Sequence, residues 1–156
     1  GYNPLEVIRI ESPADLYAIV LHPHIELKTS DSRAVLSPII GLKEAITQWG
    51  NLGGFIAGLY TADYGLLGRS LQDVIVEPLR KRLIPHFDAV KQAALDYGAL
   101  GAGISGAGPS IFALCQGEST AIAIKKAMSD SYSETGILFD LHVSKINAMG
   151  TSLLSN

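Results

Sequence analysis

The chain has 156 residues, 47% of them hydrophobic and 17% charged, with a formal net charge of -3. That length supports one domain with a real core and leaves little for a second. The mild acidity, without a block of basic residues, argues against nucleic acid as a partner, and no apolar run reaches the roughly 20 residues of a membrane span.

The opening GYNPL, residues 1–5, lacks the basic start and apolar core of a secretory leader. The first residue is not Met, which fits a part of a longer protein. Val7 to Glu11 (VIRIE) is rich in β-branched residues and predicts a short strand. Ser12 to Asp15 reads as a turn. Leu16 to Leu21 (LYAIVL) is near-continuously apolar, as in a central strand. His22 and His24 flank Pro23, but no third ligand with metal-like spacing follows, so a strand-end turn is expected there. Ser30, Asp31 and Ser32 are good N-cap residues, and a helix is expected to begin among them.

Leu42 to Tyr60 carries the clearest helical period, in Leu42, Ala45, Ile46, Trp49, Leu52, Ile56, Leu59 and Tyr60. Glycines at 50, 53, 54 and 58 interrupt it. Each costs up to about 1 kcal/mol relative to alanine. Either something packs very close to that face or the helix breaks. Gln72 to Pro85 predicts short helices around Pro78, and His86 to Tyr97 a further helix. LGAGIS and SIFALC, within 100–115, are strand-like. Cys115 ends an apolar run and reads as a small buried hydrophobe. As the only cysteine it forms no internal disulfide, which fits a reducing, cytoplasmic setting. Glu118 to Ser131 is helical, opening at Glu118 or Ser119. Asp140 to Ile146 is the last strand, with His142 a structural residue in it.

Without the first strand, the order is strand, helices, strand, strand, helix, strand. This predicts an α+β fold: a ferredoxin-like β-α-β-β-α-β sandwich. Extra helices fill the first crossover, helices cover one sheet face, and Val7 to Glu11 adds at an edge beside the Leu16 strand.

The most unusual stretch is GALGAGISGAGPSIFALC, residues 98–115, with glycines at 98, 101, 103, 106 and 108. GAGISG within it meets the letter of G-x-G-x-x-G. That fingerprint needs a strand before and a helix after, so that pyrophosphate sits on the helix N-terminus. Here a helix precedes and a strand follows. A Walker loop fails too, because no lysine lies between Gly98 and Gln116. A nucleophile elbow fails because Ala107 stands where its last glycine is required. What remains is a glycine-rich hairpin turn, or a loop whose exposed N–H groups approach a ligand or another backbone. Physical chemistry alone leaves both open.

GISGAGPSIFALC resembles the third conserved motif of the GHMP small-molecule kinases. The wider context, with HPHIELKTSDSRAVL at 22–36 and DVIVEPLRKRLIPHFDAVKQAAL at 73–95, resembles the homoserine kinase branch and covers nearly the whole chain. The resemblance implies the C-terminal domain of a kinase that uses ATP and Mg²⁺ to phosphorylate the hydroxyl of homoserine, giving O-phosphohomoserine for threonine synthesis. The family's ATP loop, of the P-x-x-x-G-L-G-S-S-A type, belongs to an N-terminal domain, and nothing of that type occurs in these residues. That domain would therefore be the main partner and hold most of the ATP and Mg²⁺. The isolated chain would be inactive, with no catalytic side chain of its own. The resemblance also implies a possible homodimer.

Site residues follow from the same resemblance. Arg33 and Arg80 match arginines that hold the amino acid's carboxylate, a task suited to a planar guanidinium fork. From composition alone they read as solvated helix charges. Thr29 matches a threonine near the substrate and γ-phosphate, with helix capping as its other reading. Gly103, Ser105, Gly106, Ala107 and Gly108 match a loop closing over the phosphoryl-transfer site, where positioning and charge stabilisation dominate. Two rivals stand beside this reading: another GHMP kinase, and a ferredoxin-like ligand-binding or regulatory module.

Overall fold

In a computed structural model of the protein, the described residues are 4–150. Residues 1–3, part of the GYNPL stretch, and 151–156 lie outside them. The near-continuous apolar run predicted as a central strand is β1 (Leu16–Pro23). It pairs antiparallel with β3 (Ile111–Gln116) on one side and β4 (Phe139–Lys145) on the other. The short β2 (Gly101–Ile104) extends the sheet from β3, giving the order β2-β3-β1-β4. Register sets Ile19 between Ala113 and Val143, and Leu21 between Ile111 and Leu141.

Period-two alternation sends Ile19, Leu21, Ile111, Ala113 and Cys115 to one face. There α5 (Phe87–Asp96) and α6 (Glu118–Ser133) cover them with Val90, Ala94, Ala121, Ile124 and Met128. Each fully buried aliphatic side chain contributes about 1.5–3 kcal/mol, and this layer is the main core. Burial, with Asp15 adding to it, pushes the Cys115 thiol up to about 11. It is the small hydrophobe the sequence suggested. The first crossover carries α1 (Thr29–Ala34), α2 (Leu42–Thr61), α3 (Tyr64–Ser70) and α4 (Glu77–Arg80), then a 3-10 turn at Lys81–Leu83. The α+β class and the β-α-β-β-α-β order expected from the sequence are both present.

Two local expectations need correction, and one element carried no clear sequence signal. Val7 to Glu11 forms no strand; Val7 and Ile8 are largely exposed. Both edges of β1 are already taken by β3 and β4, so the place foreseen for an added strand does not exist. Ser30, Asp31 and Ser32 do not cap α1. The N-cap is Lys28, without a side-chain bond. Ser30 donates to the Asp31 carboxylate instead, and Ser32 turns into the interior. Finally, α3 was not legible. It starts on Asp63, whose carboxylate accepts from Leu66 N–H at 2.8 Å, but two glycines in seven residues mask its period.

The glycines of α2 do not break it. Two of them make room for α3. A Cβ at Gly54 would stand against the Ser70 hydroxyl, and one at Gly58 would stand 2.9 Å from Leu67 Cγ. Among the described residues, no helix is long and apolar enough to cross a membrane.

Candidate functional site

Pro78 sits at the start of α4, where a missing N–H costs nothing. Just before it, the Asp73 carboxylate accepts from Ile75 and Val76 N–H at 2.9 and 2.8 Å. This fixed turn aims Arg80, the last residue of α4, between two other segments. Its Nε donates to the Ser32 carbonyl of α1 at 3.0 Å, and its Nη1 to the Gly106 carbonyl of the glycine loop at 3.0 Å. Arg80 thus ties α1 to the loop. A guanidinium has five N–H groups. The outer edge of the fork, with Nη2, has no partner among the described residues.

The loop is the β2–β3 hairpin. Ser105 N–H donates to the Ser110 carbonyl at 2.8 Å, and Gly108 N–H to the Ser105 carbonyl at 3.0 Å. Gly106 and Gly108 have φ of 59° and 85°, a left-handed conformation that favours glycine. The Gly108–Pro109 peptide is cis. The N–H groups of Gly106 and Ala107 donate to no backbone carbonyl among the described residues. His22 Nδ1 lies 2.8 Å from Ser110 Oγ and pins the far end of the loop to β1. Gly103 lies apart from this turn. It is buried within β2, where a Cβ would meet Glu77 Oε2 at 3.1 Å and the Phe112 ring at 3.3 Å.

Thr29 and Arg33 stand four residues apart on α1, so they share one exposed face. The Arg33 guanidinium has no hydrogen-bond or ion-pair partner among the described residues. Ser32 between them is fully buried, and its Oγ has no partner. The structure therefore brings Arg80, the α1 segment and Gly106 together. Sequence reasoning missed Ser32 and His22. Ser32 carried only a capping signal, and His22 only its place beside a proline.

A cleft of about 240 Å³ lies beside β2, lined among others by Asn51, Phe55, Asp73, Glu77, Gly103 and Phe112. Three of its polar side chains are already engaged. Glu77 pairs with Lys91 at 2.6 Å, Asp73 holds its turn, and Asn51 donates to the Gln72 carbonyl. Of the residues singled out from sequence, only Gly103 reaches it. Among the described residues no three His, Cys, Asp or Glu side chains cluster to hold a metal ion.

On the open sheet face, His24 Nε2 donates to Asp140 Oδ2 at 2.8 Å. That hydrogen bond, more than the charges of His24, His142 and His22, holds the Asp140 carboxyl below its ordinary value. A carboxylate with a depressed folded pKa stabilises the fold above the unfolded value of about 3.9 and loses that contribution as pH falls through the folded value. His24→Ala should move the Asp140 titration upward, as read by carboxyl chemical shifts in NMR. The stability difference between variant and parent should be small at neutral pH, because the pair is exposed, and should vanish below the folded value.

The family profile described as "GHMP kinases C terminal" matches residues 55–134, just over half the chain. The homoserine kinase of Chlorobaculum tepidum is 49% identical over 99% of this chain and 48% of its own length. The crystal structure of homoserine kinase from Cytophaga hutchinsonii superposes with a TM-score of 0.92 at 51% identity, over 95% of this chain and 47% of that one. The phosphomevalonate kinase of Streptococcus pneumoniae superposes at 0.67 with 15% identity, over 88% of this chain and 41% of that one, which is a likeness of fold alone. The chain spans about half the length of the curated relatives it matches. It belongs to the GHMP kinase family and corresponds to that family's C-terminal domain.

Proposed function

We propose that this chain is the amino-acid-binding half of a cytoplasmic homoserine kinase, which transfers the γ-phosphoryl group of ATP to the homoserine hydroxyl. The observation that carries this reading is the Arg80 junction. One guanidinium holds α1 and the glycine loop side by side, through Ser32 and Gly106. The identities near 50% to homoserine kinases along the chain support the choice of substrate.

In this reading the outer fork of Arg80 and the Arg33 guanidinium both donate to the carboxylate of homoserine. Such charge-assisted, bidentate contacts are the strong ones. Thr29, on the Arg33 face of α1, offers a hydroxyl to the substrate or its phosphate. The N–H groups of Gly106 and Ala107 suit the anionic side of a phosphoryl group. Phosphoryl transfer asks the protein mainly for position and charge, and backbone donors supply both without a catalytic side chain. ATP, which supplies the phosphoryl group, and Mg²⁺ are assigned mainly to the N-terminal domain of the same protein. This half alone is inactive.

The direct test compares full-length enzyme on homoserine, mevalonate and galactose. Homoserine should give the highest kcat/KM by several orders of magnitude. A preference for either carbohydrate or mevalonate would replace this reading with another kinase of the family.

A further inference from the structure

The turn that carries Arg80, α4, is four residues long, and none of the four is buried. A single helical turn fixes several dihedrals for little hydrogen bonding and does not persist alone. The direction in which Arg80 leaves it therefore depends on polar anchors. One is the Asp73 turn that precedes α4. The other is Glu77, three residues before Arg80.

The Glu77 carboxylate is wedged between two elements of the main core. Its Oε1 accepts from Lys91 Nζ of α5 at 2.6 Å. Its Oε2 lies over β2, where a Cβ on Gly103 would stand 3.1 Å away. The Lys91 and Glu77 side chains are 22% and 13% exposed, whereas the carboxylates paired with Lys81 and Lys126 are 72% and 64% exposed. Exposed pairs fix little. In a pair withdrawn from water, loss of one partner strands the other's charge. Lys91 is itself held: its Nζ stands 5.9 Å from the centroid of the buried Phe87 ring. Val90 and Ala94 seat the same helix on the sheet. Direct contacts thus run from α5 through Lys91 and Glu77 to α4, and from Arg80 to the Ser32 and Gly106 carbonyls.

We propose, on the reading of Arg80 as the carboxylate anchor, that Lys91 is a positioning residue for the reaction: through Glu77 it sets the angle at which α4 presents the outer fork of Arg80 to the substrate. Without Nζ, the Glu77 carboxylate turns toward water and the turn it opens tilts with it. A bidentate guanidinium contact is planar and directional, so the tilt weakens the hold on a carboxylate while Arg80 is still present. A substrate without that carboxylate escapes this loss.

Steady-state kinetics of the full-length enzyme test this, on homoserine and on 3-aminopropan-1-ol, which lacks the carboxylate. Lys91→Met should raise the homoserine KM at least tenfold and the KM of the analogue less than threefold. Lys91→Arg keeps a cation within reach of Glu77, and both KM values should stay within threefold of the parent. Glu77→Gln leaves an oxygen for Nζ to donate to, and should cause a smaller loss in the same direction; it carries the comparison if Lys91→Met does not fold. A merely structural role would raise both KM values alike. An equal rise on the two substrates, or a Lys91→Arg enzyme as impaired as Lys91→Met, overturns the proposal. A parent that binds the two substrates equally overturns the reading of Arg80, and the role of Lys91 with it. A parent preference that Lys91→Met and Glu77→Gln both retain overturns the role of Lys91 alone.

Discussion

Replacing Arg80 with alanine should raise the homoserine KM of the full-length enzyme about a hundredfold and lower kcat as well. A hydrogen bond to a charged group contributes about 1.5–3 kcal/mol, and each 1.4 kcal/mol is a factor of ten. Loss of a bidentate carboxylate contact therefore accounts for the KM. The fall in kcat has a separate origin. Arg80 also holds the carbonyls of Ser32 and Gly106, so its removal frees the glycine loop from α1. Small displacements of positioned groups are costly in rate. Arg33 provides the contrast. It anchors nothing among the described residues, so Arg33→Ala should raise KM and leave kcat nearly unchanged. Arg80→Lys should rescue little, because an ammonium cannot span two carbonyls and still present a planar fork. Steady-state kinetics of the three variants separate these effects.

Gly101→Val should be the most destabilising change in the glycine stretch, lowering the thermal midpoint by roughly 2–12 °C. Any Cβ at Gly101 would run into Leu71 Cβ, at the end of α3. Overpacking of this kind costs typically 1–3 kcal/mol, and each kcal/mol moves the midpoint by about 2–4 °C at this size. Gly106→Ala is the control. Its site is open, and only the positive φ of 59° is strained. Its cost should be about 1–2 kcal/mol. Calorimetry that finds Gly101→Val as stable as the parent would contradict the packing of α3 on β2.

The sequence made the core and the element order legible because both rest on periodicity. β1 and α2 bury or expose residues at the periods their patterns announce. It failed where tertiary occupancy decides. Val7 to Glu11 has strand composition, but no sheet edge accepts it. The five glycines of 98–108 looked like one feature and have distinct causes. Gly98 follows the C-terminus of α5 at φ 98°. Gly101 and Gly103 admit Leu71 and Phe112. Gly106 and Gly108 take the left-handed turn.

The site shows the same divide. Family resemblance singled out Arg33, Arg80 and the loop. That Arg80 bridges Ser32 and Gly106 was not legible, because its acceptors are backbone carbonyls and carry no residue signature. His22 reaches Ser110 only through the register of β1 and β3.

The central claim is that the Arg80 junction recognises the carboxylate of homoserine. It is tested most directly by comparing kcat/KM on homoserine and on its decarboxylated analogue, in the parent enzyme and in Arg80→Ala. The parent should favour homoserine strongly, and the variant should lose most of that preference, with the analogue nearly unaffected in KM. An unchanged preference in Arg80→Ala would show that the carboxylate is held elsewhere.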